Sequence, residues 1–331
     1  MSFSRFVFLG TSSAVPRPGL RNVSSMLLQF ASGSTTMIDC GEGTQHQLMR
    51  SSVKMGNIDN ILLTHLHGDH CYGFFGLVHT LNMGGRTQPL NVYGPSGVEE
   101  LVRSVLRLTG GWDAFELRIT ELIPDKEHSF DLRSSSNEFL VHVTACPMVH
   151  RLTAFGYVFK EAAQARVLDS SMAKQLGVME GPDLGKLKSG LDVSLPDGRI
   201  VRSAEVTVSG RAARTVAILQ DTSDSSSAVP HIQNCDLLIH EATYQASLRE
   251  QAIQYGHSTT VMAAEVARAV KAKLLVLTHF SSRYGGAEET KFLREEAQGE
   301  LSDTRVVLAE DFMELSGPAF ATISSVAKPS S

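Results

Sequence analysis

The nine residues Leu62-Leu63-Thr64-His65-Leu66-His67-Gly68-Asp69-His70 restrict this chain more than any other stretch. Ile61-Leu62-Leu63 predicts a short buried strand, and it runs directly into three imidazoles and a carboxylate. Side chains two apart on an extended chain point the same way, so His65 and His67 can grip one cation together. Gly68 permits a sharp turn, which lets Asp69 and His70 face back toward a second cation. Imidazole and carboxylate suit a borderline divalent ion such as zinc.

The rest of the chain repeats this pattern of apolar strands ending in reactive side chains. Phe6 to Leu9, the hairpin-like pair Ser24 to Phe30 and Thr35 to Ile38, and Leu90 to Pro95 read as strands. Helices are predicted over Gln45 to Ser51, Phe74 to Met83 and, capped by Ser96, after Gly97. Strand and helix in alternation predict an α/β layered architecture. Phe139 to Ala145 leads to His150, Thr215 to Leu219 to Asp221, Leu237 to Ile239 to His240-Glu241, and Leu274 to Leu277 to His279. In layered α/β proteins a site assembles where strand ends gather on one edge. Asp39, just past a strand, reads as a metal ligand, as an acid orienting a ligand histidine, or as a turn acid. His257 lies on a loop before a helix predicted over Thr260 to Val270, with Ser258 or Thr259 as its cap. His46, His79, His128, His142 and His231 have no such placement and read as structural. From Lys160 to about Arg211 the apolar periodicity weakens and turn residues accumulate, which predicts an insertion projecting from the main body. There Lys186 and Lys188, on a glycine-flanked loop, could meet phosphates. From Gly317 onward Ser, Ala and Pro predict a frayed tail.

A formal charge of −5 excludes attraction of a polyanion by bulk electrostatics, so local patches or bound metal would have to supply it. Cys40, Cys71, Cys146 and Cys235 are scattered without a CxxC pair. That argues against a zinc ribbon or a disulfide framework and for a reducing compartment. The cytosol is the expected location, with the nucleus open. No apolar run approaches the ~18 residues of a membrane span, so no membrane association is expected. The early strand at Phe6 leaves no room for a signal peptide.

Seven candidate ligands emerge: His65, His67, Asp69, His70, His150, Asp221 and His279. They are too many for one tetrahedral ion and suit two ions sharing a carboxylate. Such a pair can clamp a phosphoryl oxygen and acidify a water. Asp69 could take that water's proton as general base, and His257 held by Glu241 could protonate a leaving alkoxide.

The segment His65-Leu66-His67-Gly68-Asp69-His70 resembles the HxHxDH signature of the metallo-β-lactamase superfamily, with Asp221 and His279 at its later ligand positions. More narrowly, the chain resembles the tRNase Z (ribonuclease Z, short form) family of endonucleases that mature tRNA 3′ ends. The likeness runs from Phe8-Leu9-Gly10-Thr11 through Asp39-Cys40-Gly41-Glu42-Gly43-Thr44-Gln45 and Pro147-Met148-Val149-His150-Arg151. It continues through His240-Glu241-Ala242-Thr243 and Gly256-His257-Ser258-Thr259 to Thr278-His279-Phe280-Ser281-Ser282-Arg283-Tyr284. The resemblance implies an αβ/βα four-layer sandwich over residues 1–160 and 211–316, an inserted tRNA-binding flexible arm at 161–210, and a disordered tail at 317–331. It implies two Zn²⁺ per subunit, Mn²⁺ or another divalent ion being a possible substitute. One would take His65, His67 and His150, the other Asp69, His70 and His279, with Asp221 bridging. Gly181, Pro182, Gly185, Lys186, Leu187, Lys188 and Gly190 would contact the tRNA elbow, and Ser281 and Arg283 the substrate backbone. Precursor tRNA is the implied partner, together with a second copy whose arm serves the neighbouring active site. The implied products are a tRNA 3′ hydroxyl and a trailer 5′ phosphate. Gln220 stands where many members carry glycine, so a side chain must be accommodated before the bridging aspartate. Two rival readings are a phosphodiesterase of the same superfamily acting on small diesters and an inactive RNA-binding relative.

Overall fold

Strands that are apolar on both faces need cover on both faces, and that requirement sets the architecture. Along Phe3–Gly10, Phe6 and Phe8 point one way and Val7 and Leu9 the other, and all four are fully buried. The computed structural model describes residues 2–111, 114–163, 166–179, 181–208, 210, 212–286 and 289–327. By contacts the chain divides into two units, residues 1–160 with 215–331, and Glu161–Arg214.

The larger unit contains two sheets. The first is ordered Thr322–Ser325, Met313–Ser316, Phe3–Gly10, Ser25–Phe30, Thr35–Cys40, Ile58–Leu62, Leu90–Pro95, Leu117–Leu122. The second is ordered Arg305–Leu308, Leu274–Thr278, Leu237–Glu241, Thr215–Leu219, Ala154–Lys160, Phe139–Met148, His128–Arg133. Phe6, Phe8, Met26 and Ile38 of the first meet Val143, Phe155, Tyr157, Ile218 and Ile239 of the second in a core between the sheets. Outside the first sheet, Val7, Leu27 and Ile61 pack with Phe74 and Leu77 of the helix Gly73–Met83 and with Val102 of Val98–Leu108. Outside the second, Ala217, Leu238 and Leu275 pack with Ala263 and Ala267 of Thr260–Val270 and with Leu293 of Lys291–Gly299. The layering is helix, sheet, sheet, helix, the αβ/βα class expected. Thr215–Leu219, Leu237–Glu241 and Leu274–Thr278 pair in parallel, so their C-terminal ends open on one edge.

The smaller unit has its own core of Ala173, Val178, Leu187, Val193, Val201 and Val206, with two two-stranded sheets. Buried Glu161 and Arg214 pair across its two ends, Oε2 to Nε 2.6 Å.

The structure departs from the sequence reading at five places. The helix Val98–Leu108 is capped by Gly97 (φ 100°), not Ser96; Glu121 Oε1 accepts from the Gly97 and Glu99 amides at 2.8 and 3.0 Å. A carboxylate from a neighbouring strand thus replaces the local cap. Residues Pro182–Lys188, expected as a loop, form a helix with proline at its first turn. Leu187, expected at the RNA interface, is fully buried in the small core, so its side chain cannot meet the tRNA. The small unit closes at Arg214 rather than 210, where the ion pair with Glu161 lies. The tail does not fray at Gly317: buried Phe320 packs near Phe3 with ring centroids 6.3 Å apart, and Thr322–Ser325 pairs with Met313–Ser316. One apolar anchor and an open sheet edge outweigh a polar composition; residues 328–331 lie outside the described residues.

Candidate metal centre

Three segments remote in sequence, at 65–70, at His150 and at His279, converge on the carboxylate of Asp221. Its Oδ2 faces His65 Nε2 at 3.6 Å and His150 Nε2 at 3.8 Å. Its Oδ1 faces His70 Nε2 and His279 Nε2, each at 3.3 Å. On the first side His67 Nδ1 lies 2.9 Å from His65 Nε2 and 3.1 Å from His150 Nε2. On the second, Asp69 Oδ2 lies 3.6 Å from His70 Nε2 and 3.4 Å from His279 Nε2. Donor atoms of a tetrahedral ion with metal–ligand lengths near 2.0–2.1 Å stand about 3.3 Å apart, the spacing found on both sides. His65, His67, His150 and Asp221, and separately Asp69, His70 and His279, could each hold a metal ion. Asp221 Oδ1 is buried without a hydrogen-bond partner among the described residues. An orphaned carboxylate oxygen is costly, and a cation between it and the imidazoles removes the cost. The residues present therefore fit a divalent metal.

A ring of hydrogen bonds turns the imidazole lone pairs inward. Asp39 Oδ2 accepts from His70 Nδ1 at 2.7 Å, and Asp39 Oδ1 accepts from the Thr64 amide and hydroxyl at 2.8 and 2.9 Å. Of the three roles open to Asp39, it thus takes the orienting one. The Thr64 hydroxyl, spent on Asp39, is left to accept from His65 Nδ1 at 3.1 Å. The Gly256 carbonyl accepts from His150 Nδ1 at 2.7 Å. Thr243 Oγ1 donates to Glu241 Oε2 at 2.7 Å and accepts from His279 Nδ1 at 3.0 Å. Two of these residues sit in the left-handed backbone region without being glycine, Asp39 at φ 57° and His279 at φ 60°. Such strain clusters where surrounding structure fixes a functional side chain. The histidine loop itself is tied to the second sheet by Tyr157 Oη donating to Leu63 O at 2.7 Å.

Electrostatics divide the donors. Burial lowers the pKa of His65, His67 and His150, keeping them neutral as ligation requires. Burial also opposes charge on His70, but Asp221, Asp39 and Asp69 together drive it well above the usual imidazole range. For Asp221 burial raises the pKa, yet His279, His70 and His65 hold it well below the carboxylate range. His257 donates through Nδ1 to Glu241 Oε1 at 3.0 Å and stands 3.8 Å from Asp221 Oδ2. Burial works against its charge, but Glu241 pushes it up to about 9.

Gln220 is accommodated by burial beside the site, its Nε2 donating to Ser24 Oγ at 2.9 Å. Arg283 stacks over Tyr244, its guanidinium carbon 5.0 Å from the ring centroid, and donates to Ser281 Oγ at 3.1 Å. The helix Pro182–Lys188 carries Lys186, paired with Asp183 at 2.8 Å, and Lys188, with Gly185 within it and Gly181 and Gly190 beyond its two ends. The donors open on a cleft of about 460 Å³ whose lining includes Pro16, His67, Asp69, Arg151, Asp221 and His257. Arg151 and Tyr72 are among the cleft residues to which the sequence reading gave no role. Arg151 was hidden by its ligand neighbour, and Tyr72 by the apolar run that follows it.

An αβ/βα sandwich with five imidazoles and two carboxylates at its strand ends defines a hydrolase of metallo-β-lactamase type. Ribonuclease BN of Cronobacter sakazakii is 40% identical over 313 residues, spanning 92% of this chain and 97% of that protein. Ribonuclease Z of Nostoc sp. is 38% identical over 97% of this chain and 99% of its own length. The crystal structure of human tRNase Z, short form, matches with a TM-score of 0.66 at 30% identity, covering 95% of this chain and 99% of that one. A family model described as Anti-Pycsar protein Apyc1 matches residues 4–132. The chain belongs to the ribonuclease Z/ribonuclease BN family.

Proposed function

We propose that this chain is a metal-dependent endoribonuclease that removes the 3′ trailer from precursor tRNA. The observation that carries the reading is the division of Asp221, one oxygen toward each of two donor groups, at the floor of an open cleft. The resemblance to proteins named for tRNA processing supplies the substrate class. Two zinc ions, held by His65, His67 and His150 and by Asp69, His70 and His279 with Asp221 between, would polarise a phosphoryl oxygen and acidify a water. Asp69 accepts the proton of the attacking water. As the bond from phosphorus to the tRNA 3′ oxygen breaks, His257 protonates that oxygen, with Glu241 holding its imidazole in place. The products are a tRNA 3′ hydroxyl and a trailer bearing a 5′ phosphate.

The Glu161–Arg214 unit, through Gly181, Pro182, Gly185, Lys186, Lys188 and Gly190, is assigned to the tRNA elbow, and Ser281 and Arg283 to the RNA backbone near the cut. A homodimer in which each arm serves the other active site completes the reading. No helix among the described residues is long and apolar enough to cross a membrane. The relatives from Cronobacter and Nostoc are bacterial, which fits a cytoplasmic enzyme and gives a nuclear location no support. The test is to incubate purified protein with a trailer-bearing tRNA and map both new ends. A 3′ hydroxyl at the mature end, lost in Asp69→Ala with RNA binding retained, is expected. Cleavage elsewhere, or unchanged turnover by the variant, overturns the reading.

A further inference from the structure

Beside the metal donors the cleft wall carries an aromatic ring that the chemistry described so far does not use. Tyr72 is 64% exposed although it follows His70 by only two positions, and it lines the same cleft as His67, Asp69, Arg151 and His257. Aromatic side chains are a usual part of the lining of ligand clefts.

Its placement is fixed by its neighbours. The Tyr72 amide donates to Gly68 O at 3.0 Å, closing the turn that carries Asp69 and His70. The ring folds back over Gly68: a Cβ at that glycine would fall 2.3 Å from Cε2 and 2.6 Å from Cδ2. A side chain at Gly68 would displace the ring from this position. On the other flank, a Cβ at Gly73 would fall 1.9 Å from Gly41 O, so the helix that starts there is pressed against the Asp39–Gly41 backbone. The Tyr72 backbone is thus placed by the turn at Gly68 and by the packed start of the next helix, while its ring lies over Gly68 with much of its surface open. A tyrosine has only two side-chain torsions to fix, so it loses little freedom on stacking.

The cleft of about 460 Å³ has room for one nucleoside and its phosphate. With the scissile phosphate at the donors, a flanking base would lie in the cleft that Tyr72 lines. Stacking of a base on an aromatic tolerates any sequence, because every base offers a π face. This suits an enzyme that must cut beside whatever nucleotide a precursor presents.

We propose that Tyr72 is the stacking platform for a nucleobase adjacent to the scissile phosphate. The proposal rests on the endonuclease reading above. Its test compares wild type, Tyr72→Phe and Tyr72→Leu on a trailer-bearing tRNA and on two versions carrying an abasic nucleotide, one immediately 5′ and one immediately 3′ of the cut. On the intact substrate Tyr72→Leu should lose roughly 5- to 150-fold in kcat/KM, while Tyr72→Phe stays within about twofold of wild type. On one abasic substrate wild type should fall to the level of Tyr72→Leu, and the variant should lose nothing further. Equal loss by Tyr72→Leu on all three substrates overturns the proposal. So does a loss accounted for by reduced zinc content or an altered oligomeric mass in that variant. If wild type fails to cut the intact precursor, the endonuclease reading falls, and this proposal with it.

Discussion

At the scale of single residues, the centre depends as much on the groups behind the donors as on the donors. Gly256 shows this. It has φ 75°, it presents its carbonyl to His150 Nδ1, and a Cβ on it would lie 2.8 Å from that same nitrogen. Gly256→Ala should therefore push His150 out of place and weaken divalent-metal binding about 10- to 100-fold, read by calorimetric titration, with the global fold retained. Glu241 offers a second test. An acid catalyst works while protonated, so activity that needs His257 is present below its pKa and lost as pH rises through it. Burial disfavours the charge on His257 and Glu241 restores it, to about 9, while bound cations act in the opposite direction. Glu241→Gln removes the supporting charge, so the alkaline limb of the kcat profile should move to lower pH. The thermal midpoint must be read alongside, because Glu241 Oε2 also accepts from the Thr243 amide at 3.1 Å, which a glutamine nitrogen cannot. An alkaline limb unmoved in the variant would remove His257 as the acid.

At the scale of elements, strands buried on both faces and ending in His, Asp or Glu were legible because burial writes apolar runs and the metal demands particular side chains. The predicted helix over Thr260 to Val270 forms as such, with Thr259 Oγ1 accepting from the Met262 amide at 3.2 Å. Non-local effects were not legible. Glu121 caps a helix from another strand, and Phe320 anchors a polar tail. Asp39 could be narrowed only to three roles, because choosing among them requires knowing that Thr35–Cys40 lies parallel to Ile58–Leu62. The small unit was visible as a loss of periodicity, but its core is only six residues deep and so leaves a faint pattern. That thin core makes the Glu161–Arg214 pair, 1% and 5% exposed, matter to it. Arg214→Met removes one partner of the buried Glu161 carboxylate and should destabilise the small unit. Proteolysis should then cut within 161–214 well before the catalytic unit unfolds, whereas equal resistance in variant and wild type would assign the pair no structural weight.

At the scale of the whole molecule, a net charge of −5 cannot draw RNA in from a distance, so affinity must come from a few local contacts spread over separate parts of the chain. This makes the proposed sharing of arms between two subunits testable. The insertion leaves from Lys160 and returns at Thr215, which are direct partners on adjacent antiparallel strands. A two-residue Asn-Gly turn can therefore replace residues 161–214 without disturbing the sheet. The shortened protein keeps every candidate metal donor and lacks the proposed arm, whereas Asp69→Ala keeps the arm and lacks the proposed base. Each alone should leave precursor tRNA uncut. If an arm serves the opposite active site, mixing the two and allowing subunits to exchange creates dimers with one complete pair. Random exchange at equal concentrations should then restore about a quarter of wild-type activity per subunit. If each arm serves its own active site, no mixed dimer holds a working pair and the mixture stays inactive. Hydrolysis of a small diester by the shortened protein, measured in parallel, separates failure of RNA capture from damage to the centre.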